Sequence, residues 1–246
     1  MKIFPLSEGT FTIDKTKVFV PFELEQDDLQ ERPVGSLLVE VQPFLVLTQK
    51  DVLLIDTGLG FSKNHQLQIH QNLLSVGVSP DQVTKVLMSH LHKDHAGGVS
   101  YKDANGHYQL SFKNAIYYVQ QIEFDFAMEK GFPSFITEEI EVLKNHPQVQ
   151  WLQGDGVIDG YIHHHITAGH SPHHQVFWIK EKDEIIFFGG DDAPQIQQMK
   201  TKFVAKYDFD GKKCMNLRKE WWEKGREENW KFLFYHDIKT PIFQHN

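Results

Sequence analysis

Three imidazoles and one carboxylate fall within six residues of this chain, in His90-Leu91-His92-Lys93-Asp94-His95-Ala96-Gly97-Gly98. Neutral imidazole nitrogen and carboxylate oxygen are the donor types that zinc and similar divalent cations select. The cluster follows Val86-Leu87-Met88, an apolar run that reads as a buried strand, and the glycine pair marks where the chain turns away from it. Alternate residues of an extended segment point to opposite sides, so a flat strand cannot gather all four side chains. A loop that curls around a point can, and a pair of adjacent metal ions is its natural occupant. The plain alternative is a histidine-rich surface loop. Although the chain holds 15 histidines, a chance match to all four positions is on the order of a few in a thousand.

Four ligands are too few for two ions; a dinuclear site wants about six or more. Three other residues stand in the same setting, where an apolar run ends and a ligand-type side chain follows. His170 lies in Thr167-Ala168-Gly169-His170-Ser171-Pro172, Asp191 follows Phe187-Phe188-Gly189-Gly190, and His236 closes Phe232-Leu233-Phe234-Tyr235. Asp192 competes with Asp191, and the place directly after the glycine pair favours Asp191. Asp56 ends the run Val52-Leu53-Leu54-Ile55 ahead of Thr57-Gly58. It reads equally as an active-site carboxylate and as an Asx-turn or helix cap. His163, His164 and His165 alternate along one strand and read as packing or surface residues. His173 and His174 come too soon after Pro172 to join the same ions, though one could line the pocket. His65, His70, His107, His146 and His245 lie in polar or terminal segments and read as solvated.

The elements that must hold these residues are strands at both ends of the chain and helices in the middle. Thr10 to Val20, Ser36–Val41, Phe44–Thr48 and Val52–Ile55 read as strands, with a polar acidic segment from Glu23 to Arg32 between the first two. Asn64 to Val76 fits a helix that Gly77 ends. Tyr101 to Leu110 reads as polar turns, Ala115–Val119 as a strand, and Gln121–Glu129 and Glu138–Leu143 as helices. The aromatics Phe124 and Phe126 suit core packing better than a substrate wall. Strands return from Trp151, with Val176–Ile179 and Ile185–Phe188 as an antiparallel hairpin. Met215 to Trp230 is an amphipathic helix, and Phe232–Tyr235 reads as the last strand. No linker or repeat divides the chain, so residues 1–246 read as one domain.

Composition narrows the classes. A 40% hydrophobic content supports a sizeable core, and a net charge of -8 argues against a nucleic-acid surface. No apolar run approaches a membrane span. No secretory signal is visible, and the single cysteine, Cys214, excludes an intramolecular disulfide, so the expected compartment is the cytoplasm.

In order, Asp56-Thr57-Gly58, His90-Leu91-His92-Lys93-Asp94-His95, Thr167-Ala168-Gly169-His170-Ser171-Pro172, Gly190-Asp191 and His236 resemble the metallo-β-lactamase-fold hydrolase superfamily. The resemblance implies an α+β fold: a four-layer αββα sandwich of two mixed β-sheets with helices on the outer faces. It implies that His90, His92 and His170 hold one metal and Asp94, His95 and His236 a second. Asp191 would bridge the two, and Asp56 would orient the cluster loop. Exported β-lactam hydrolysis fits poorly, because the bridging Asp is present and Cys214 is expected in a Lys-rich loop away from any ligand position. The segment ending Phe234-Tyr235-His236-Asp237 is similar to the branch of quorum-signal lactonases and organophosphate-hydrolase relatives. Many acyl-homoserine-lactone hydrolases carry Tyr three residues after the bridging Asp; Pro194 stands there in this chain.

The expectation is therefore a hydrolase with two divalent ions, Zn2+ ahead of Mn2+ or Fe, whose bridging hydroxide attacks a lactone, carboxylic ester or thioester. Asp94, besides holding the second ion, is expected to orient the nucleophile and pass a proton to the leaving group. Phosphotriester or phosphodiester hydrolysis and iron-dependent redox chemistry are the alternatives. The partner is a small molecule, expected to be uncharged and partly apolar. Its pocket is expected to be walled by 23–32, 121–135 and the loop after Asp191. The sequence leaves the oligomeric state open, a homodimer included.

Overall fold

The structure is a computed structural model that describes residues 1–63 and 66–245. Two six-stranded mixed sheets form its centre. The first runs Lys2–Pro5, Phe44–Leu47, Val52–Ile55, Lys85–Leu87, Ile116–Gln120 and Val149–Leu152, in that spatial order. The second runs Gly156–Ile158, Ile162–Ile166, Gln175–Glu181, Glu184–Phe188, Lys231–Leu233 and Ile242–Gln244.

The strand sequences are apolar on both faces, as sheets covered on both sides require. Leu53 and Ile55 point inward and meet Phe177, Ile179, Ile186 and Phe188 of the second sheet. Leu54 and Val86 point outward, into a cluster with Ile69 and Leu73 of the helix Gln68–Ser75 and Phe124 of the helix Gln121–Lys130. On the far side Phe187 and Phe232 pack against Trp221 of the long helix Gly211–Glu227 and against Trp230. Helix, sheet, sheet, helix is the four-layer α+β sandwich expected. The Trp221 and Phe124 rings are core, and the Trp222 ring, half-buried and stacked on Phe243, packs against it.

Several elements differ from the sequence reading. Thr10 to Val20 is not one strand: Gly9–Ile13 and Phe19–Pro21 pair antiparallel around a turn at 14–18, with Leu37–Val41 on the other side. Ser100–Lys102 and Tyr108–Leu110 form a hairpin where only turns were read. The run ending at Tyr235 is not the last strand, since Ile242–Gln244 folds back antiparallel on Lys231–Leu233. Cys214 lies inside the long helix rather than in a loop. The helix expected from Asn64 begins at Gln68, and Asn64 and His65 lie outside the described residues. Among the described residues, no helix is long and apolar enough to cross a membrane.

Candidate metal centre

Five chain segments leave their strands at one edge of the two sheets, and each carries a candidate site residue there. Ile55 ends at Asp56, Leu87 runs on to His90, Ile166 to His170, Phe188 to Asp191 and Leu233 to His236. The cluster is a short loop at His90–His92 followed by one helical turn, Lys93–Ala96, which brings Asp94 and His95 round to the same side. The glycine pair does more than turn the chain. A Cβ on Gly98 would stand 2.1 Å from the Thr57 carbonyl oxygen, and one on Gly97 would stand 2.3 Å from that of Leu59. Only glycine lets the cluster press so closely on the Asp56 loop.

All seven candidate ligands meet, in two groups. The donor atoms of His90, His92, His170 and Asp191 lie within 4.8 Å of one another, as do those of Asp94, His95 and His236. Asp191 joins the groups through its two oxygens. Its Oδ2 is 3.3 Å from His170 Nε2 and 4.0 Å from His90 Nε2, while its Oδ1 is 3.1 Å from both His95 Nε2 and His236 Nε2. Asp94 Oδ2 faces the second group, 3.7 Å from His95 Nε2 and 3.5 Å from His236 Nε2. Four donors about 2.0–2.1 Å from one tetrahedral ion stand roughly 3.3 Å apart, so these separations fit ions between the side chains.

The far nitrogens of the histidines strengthen that fit. His95 Nδ1 donates to Asp56 Oδ2 at 2.7 Å, His170 Nδ1 to Asp208 Oδ1 at 3.0 Å, and His236 Nδ1 to the Glu40 carbonyl at 2.6 Å. His90 Nδ1 donates to Ser89 Oγ at 3.0 Å, and that hydroxyl in turn donates to Asp56 Oδ2 at 2.7 Å. Each partner fixes the tautomer that leaves Nε2 with a free lone pair aimed at the centre. His95 Nε2 and Asp191 Oδ1 are buried and have no hydrogen bond of their own. An unpaired buried acceptor is costly unless something else occupies it.

Charge follows the same plan. Burial acts to raise the Asp191 carboxyl, but His236, His95 and His170 outweigh it and hold the group well below the usual carboxylate range. Burial and the neighbouring His95 ring keep His90 well below the ordinary imidazole range, and burial with His170 does the same for His92. Burial also acts to lower His95, His170 and His236, but Asp191 prevails and raises them. A divalent cation held by these residues would take the place of those protons, with neutral imidazoles and carboxylates as its donors.

Asp56 is buried, with φ +55°, and accepts from Ser89 N and Ser89 Oγ at 2.7 Å besides His95. It ties two strand ends together rather than capping a turn of its own.

Other residues escaped the sequence reading. His174 is fully buried: its Nδ1 lies 3.1 Å from Asp192 Oδ2, and its Nε2 accepts from Asp191 N–H at 3.1 Å. Asp192 Oδ1 accepts from His170 N–H at 2.6 Å and lies 3.3 Å from Cys214 Sγ, so this aspartate braces the ligand loops from behind. Gly190 has φ +49°, and a Cβ there would strike His174 Nε2 at 2.6 Å. Tyr235 stacks on His95 with ring centres 4.0 Å apart and donates to the Asp94 carbonyl. His164, buried beside Gln120, and His165, exposed and paired with Asp155, take the packing and surface places expected of them. His70 and His245 are half-buried rather than free in solvent: the first bonds the Ser111 carbonyl, and the second packs on Trp222.

Glu8 lies beneath the Asp56 loop, where its Oε2 accepts from Leu59 N–H at 2.6 Å and its Oε1 has no partner. Burial pushes its carboxyl up to about 8. Since that value exceeds the unfolded one, the folded state holds a proton that the unfolded state has lost. Stability therefore falls as pH rises from the unfolded carboxyl range through about 8. Glu8→Gln keeps the acceptor for Leu59 and removes the ionisation. Its unfolding free energy should match the wild type near pH 5 and exceed it at pH 9 by an amount on the order of a few kcal/mol, read by denaturant unfolding at the two pH values. Equal pH profiles for the two proteins would contradict this.

A cavity of about 480 Å³ opens onto the centre, reaching His92, Asp94, His170, Asp191 and His236. Its walls come from 13–19, 35–39, Ser134 and the stretch from Pro194 to Tyr207. The acidic 23–32 segment does not line it; residues 23–26 border a separate hollow beside Glu8 instead. Phe126 packs on Phe135 and His173 and Phe124 lies in the core, whereas Phe132 is exposed; from 121–135 the cavity takes Ser134 and none of the aromatics.

The sequence profile of the Metallo-beta-lactamase superfamily matches residues 38–212, well over half of the chain. The chain belongs to the metallo-β-lactamase superfamily. Among curated superfamily members it is similar to the N-acyl homoserine lactonase AiiA of Bacillus thuringiensis subsp. kurstaki. The two are 27% identical over 228 residues, covering 83% of this chain and 84% of the relative. Its fold is similar to that of a probable metal-dependent hydrolase from Staphylococcus aureus, with a TM-score of 0.79 at 22% identity over 99% of this chain and 91% of that one. It is also similar to AidC, a dizinc quorum-quenching lactonase solved with its product N-hexanoyl-L-homoserine. There the TM-score is 0.73 at 19% identity, over 98% of this chain and 88% of the other.

Proposed function

We propose that this superfamily member is a metal-dependent hydrolase of a small ester-type substrate, a lactone, carboxylic ester or thioester. The observation that carries the reading is Asp191, whose two oxygens each face a separate group of donors. His90, His92 and His170 would hold one ion and Asp94, His95 and His236 the other, with Asp191 shared. Zinc suits the five imidazoles and two carboxylates, and the dizinc relative supports it. Such a pair supplies Lewis acidity: it lowers the pKa of a bound water towards neutrality and polarises the substrate carbonyl.

The chain's own groups do the rest. Asp94 lines the cavity while its backbone carbonyl is held by Tyr235. Its carboxylate is therefore fixed where it can take the proton of the attacking water and return it to the leaving oxygen or sulfur. The braces on His90, His95, His170 and His236 keep the centre from reorganising as charge develops. Leu37, Leu38 and Val39 form an apolar side of the cavity that excludes water and accommodates an acyl chain. Both sheets contribute ligands, so we take residues 1–246 as one catalytic unit, and the single cysteine supports a cytoplasmic setting.

The test is a panel of lactones, aryl esters, thioesters and phosphotriesters, assayed with zinc, manganese and cobalt. Turnover of a carbonyl ester class, abolished by chelation and restored by metal, is the expected outcome. Turnover confined to phosphotriesters, or oxygen uptake by an iron-loaded sample without any ester cleavage, would overturn the reading.

A further inference from the structure

The cavity mouth carries charge that the reaction does not use. The whole chain is acidic, with 33 Asp and Glu against 25 Lys and Arg. Yet Lys15, Lys17, Lys93 and Lys206 all border this one cavity, and Asp14 is its only carboxylate outside the candidate metal centre. Asp14 is occupied in its own turn, accepting from Thr16 N–H at 2.8 Å and Thr16 Oγ1 at 2.5 Å. Three separate segments supply the four lysines: the turn after Gly9–Ile13, the ligand cluster itself, and the loop before the long helix.

None of the four forms an ion pair with a carboxylate among the described residues. Among the described residues, the lysines that form ion pairs are Lys85, Lys113, Lys130, Lys219, Lys224 and Lys231. Lys17 Nζ reaches only a neutral hydroxyl, Ser134 Oγ, at 2.5 Å. Lys93 Nζ lies over the Phe19 and Phe132 rings, 5.9 and 5.8 Å from their centres. Phe19 and Ser134 both line the cavity, so the two ammonium groups are held at its wall by a hydroxyl and a ring. Like charges converging on one mouth repel one another unless an anion joins them. An ammonium above an apolar wall, out of full contact with water, is a strong point for a carboxylate or phosphate to bind.

We infer that the substrate carries, besides its scissile ester-type bond, an anionic group that Lys17 and Lys93 bind at the rim, with its apolar portion along Ile13, Phe19, Leu37 and Val39. This inference rests on the proposed hydrolase reading and reverses the expectation of an uncharged substrate, which took the net charge of the chain for the charge of the site. The rim chemistry is shared by carboxylate and phosphate, and it selects against neutral lactones and esters of the same length. Lys17 and Lys93 act on binding and specificity, not on the reacting bond.

The experiment compares p-nitrophenyl hemiesters of straight-chain dicarboxylic acids with their ω-methyl esters, and with analogues ending in phosphate, on the metal-loaded enzyme. The wild type should prefer the anionic members by about tenfold or more in kcat/KM, chiefly through KM. Lys17→Gln and Lys93→Gln should each raise KM for the anionic members and bring the ratio towards one. Lys17→Arg should retain the preference. Whichever of the carboxylate and phosphate series is favoured identifies the source of the anion. Calorimetric binding of a diacid against its monomethyl ester to the same holoenzyme gives a readout without turnover, and the diacid should bind more tightly through Lys17. Ester turnover with no anion preference, or a preference untouched by Lys17→Gln and Lys93→Gln, overturns the inference and leaves the hydrolase reading intact. Lysine-dependent diacid binding without any ester turnover supports the anion site while sinking the hydrolase reading.

Discussion

Asp191→Ala should reduce bound metal from two ions per chain to one or none and lower kcat/KM by about 10³ or more. The magnitude follows from what a metal pair supplies, several kcal/mol of stabilisation of developing charge, at about 1.4 kcal/mol per factor of ten. Asp191 is the carboxylate that faces both donor groups, with Oδ2 towards His170 and Oδ1 towards His95 and His236. Without it, His95, His170 and His236 lose the carboxylate that raises their proton affinity, and neither ion has its shared ligand. Asp191→Asn keeps the shape but offers one neutral oxygen, so it should fail nearly as badly. The measurements are elemental analysis and steady-state kinetics, with circular dichroism to show that the variant is folded. Wild-type metal content and activity in a folded Asp191→Ala would contradict the assignment.

Asp56→Ala should weaken metal binding by about 10–100-fold although Asp56 is not placed as a ligand, which is the usual effect of removing a partner that orients one. The carboxylate is fully buried and accepts from Ser89 N, Ser89 Oγ and His95 Nδ1, each at 2.7 Å. Ala leaves three buried donors unsatisfied, each worth about 1–3 kcal/mol. It also frees His95 to turn its Nε2 away from the centre, and it frees Ser89, which holds His90. A titration with a competing chelator reads the affinity, and thermal unfolding of the metal-free protein reads the structural part. Asp56→Asn retains an acceptor for Ser89 N–H and should fall between Ala and wild type. An Ala variant with unchanged affinity and a lowered unfolding temperature would make Asp56 purely structural.

The candidate centre was legible because its candidate ligands follow apolar runs, and a run ending in His or Asp is visible without coordinates. His90 to His95 needed only local spacing. His170, Asp191 and His236 needed the rule that strand ends gather at one edge of a sheet. The braces were not legible, because nothing local marks His174, Asp192 or Asp208 as facing ligands that lie up to 38 residues away in sequence. Glu40 acts on His236 through its carbonyl, which every residue possesses. The hairpin Ser100–Leu110 did have a signal, the Asn105-Gly106 pair, and it was read only as a turn. The cavity wall was misplaced because the hairpin Gly9–Pro21 folds over the centre, while the acidic segment that follows it points elsewhere. The lysine rim escaped for a related reason: its members come from three distant segments, and only folding adds their charges.

The central claim is that one carboxylate joins two ions. Metal-free protein titrated with Mn2+ and followed by electron paramagnetic resonance tests it most directly. Two equivalents per chain giving a single spin-coupled signal is the result predicted for ions about 3.5–4 Å apart on a shared ligand. Saturation at one equivalent, or two equivalents with independent mononuclear signals, would contradict it.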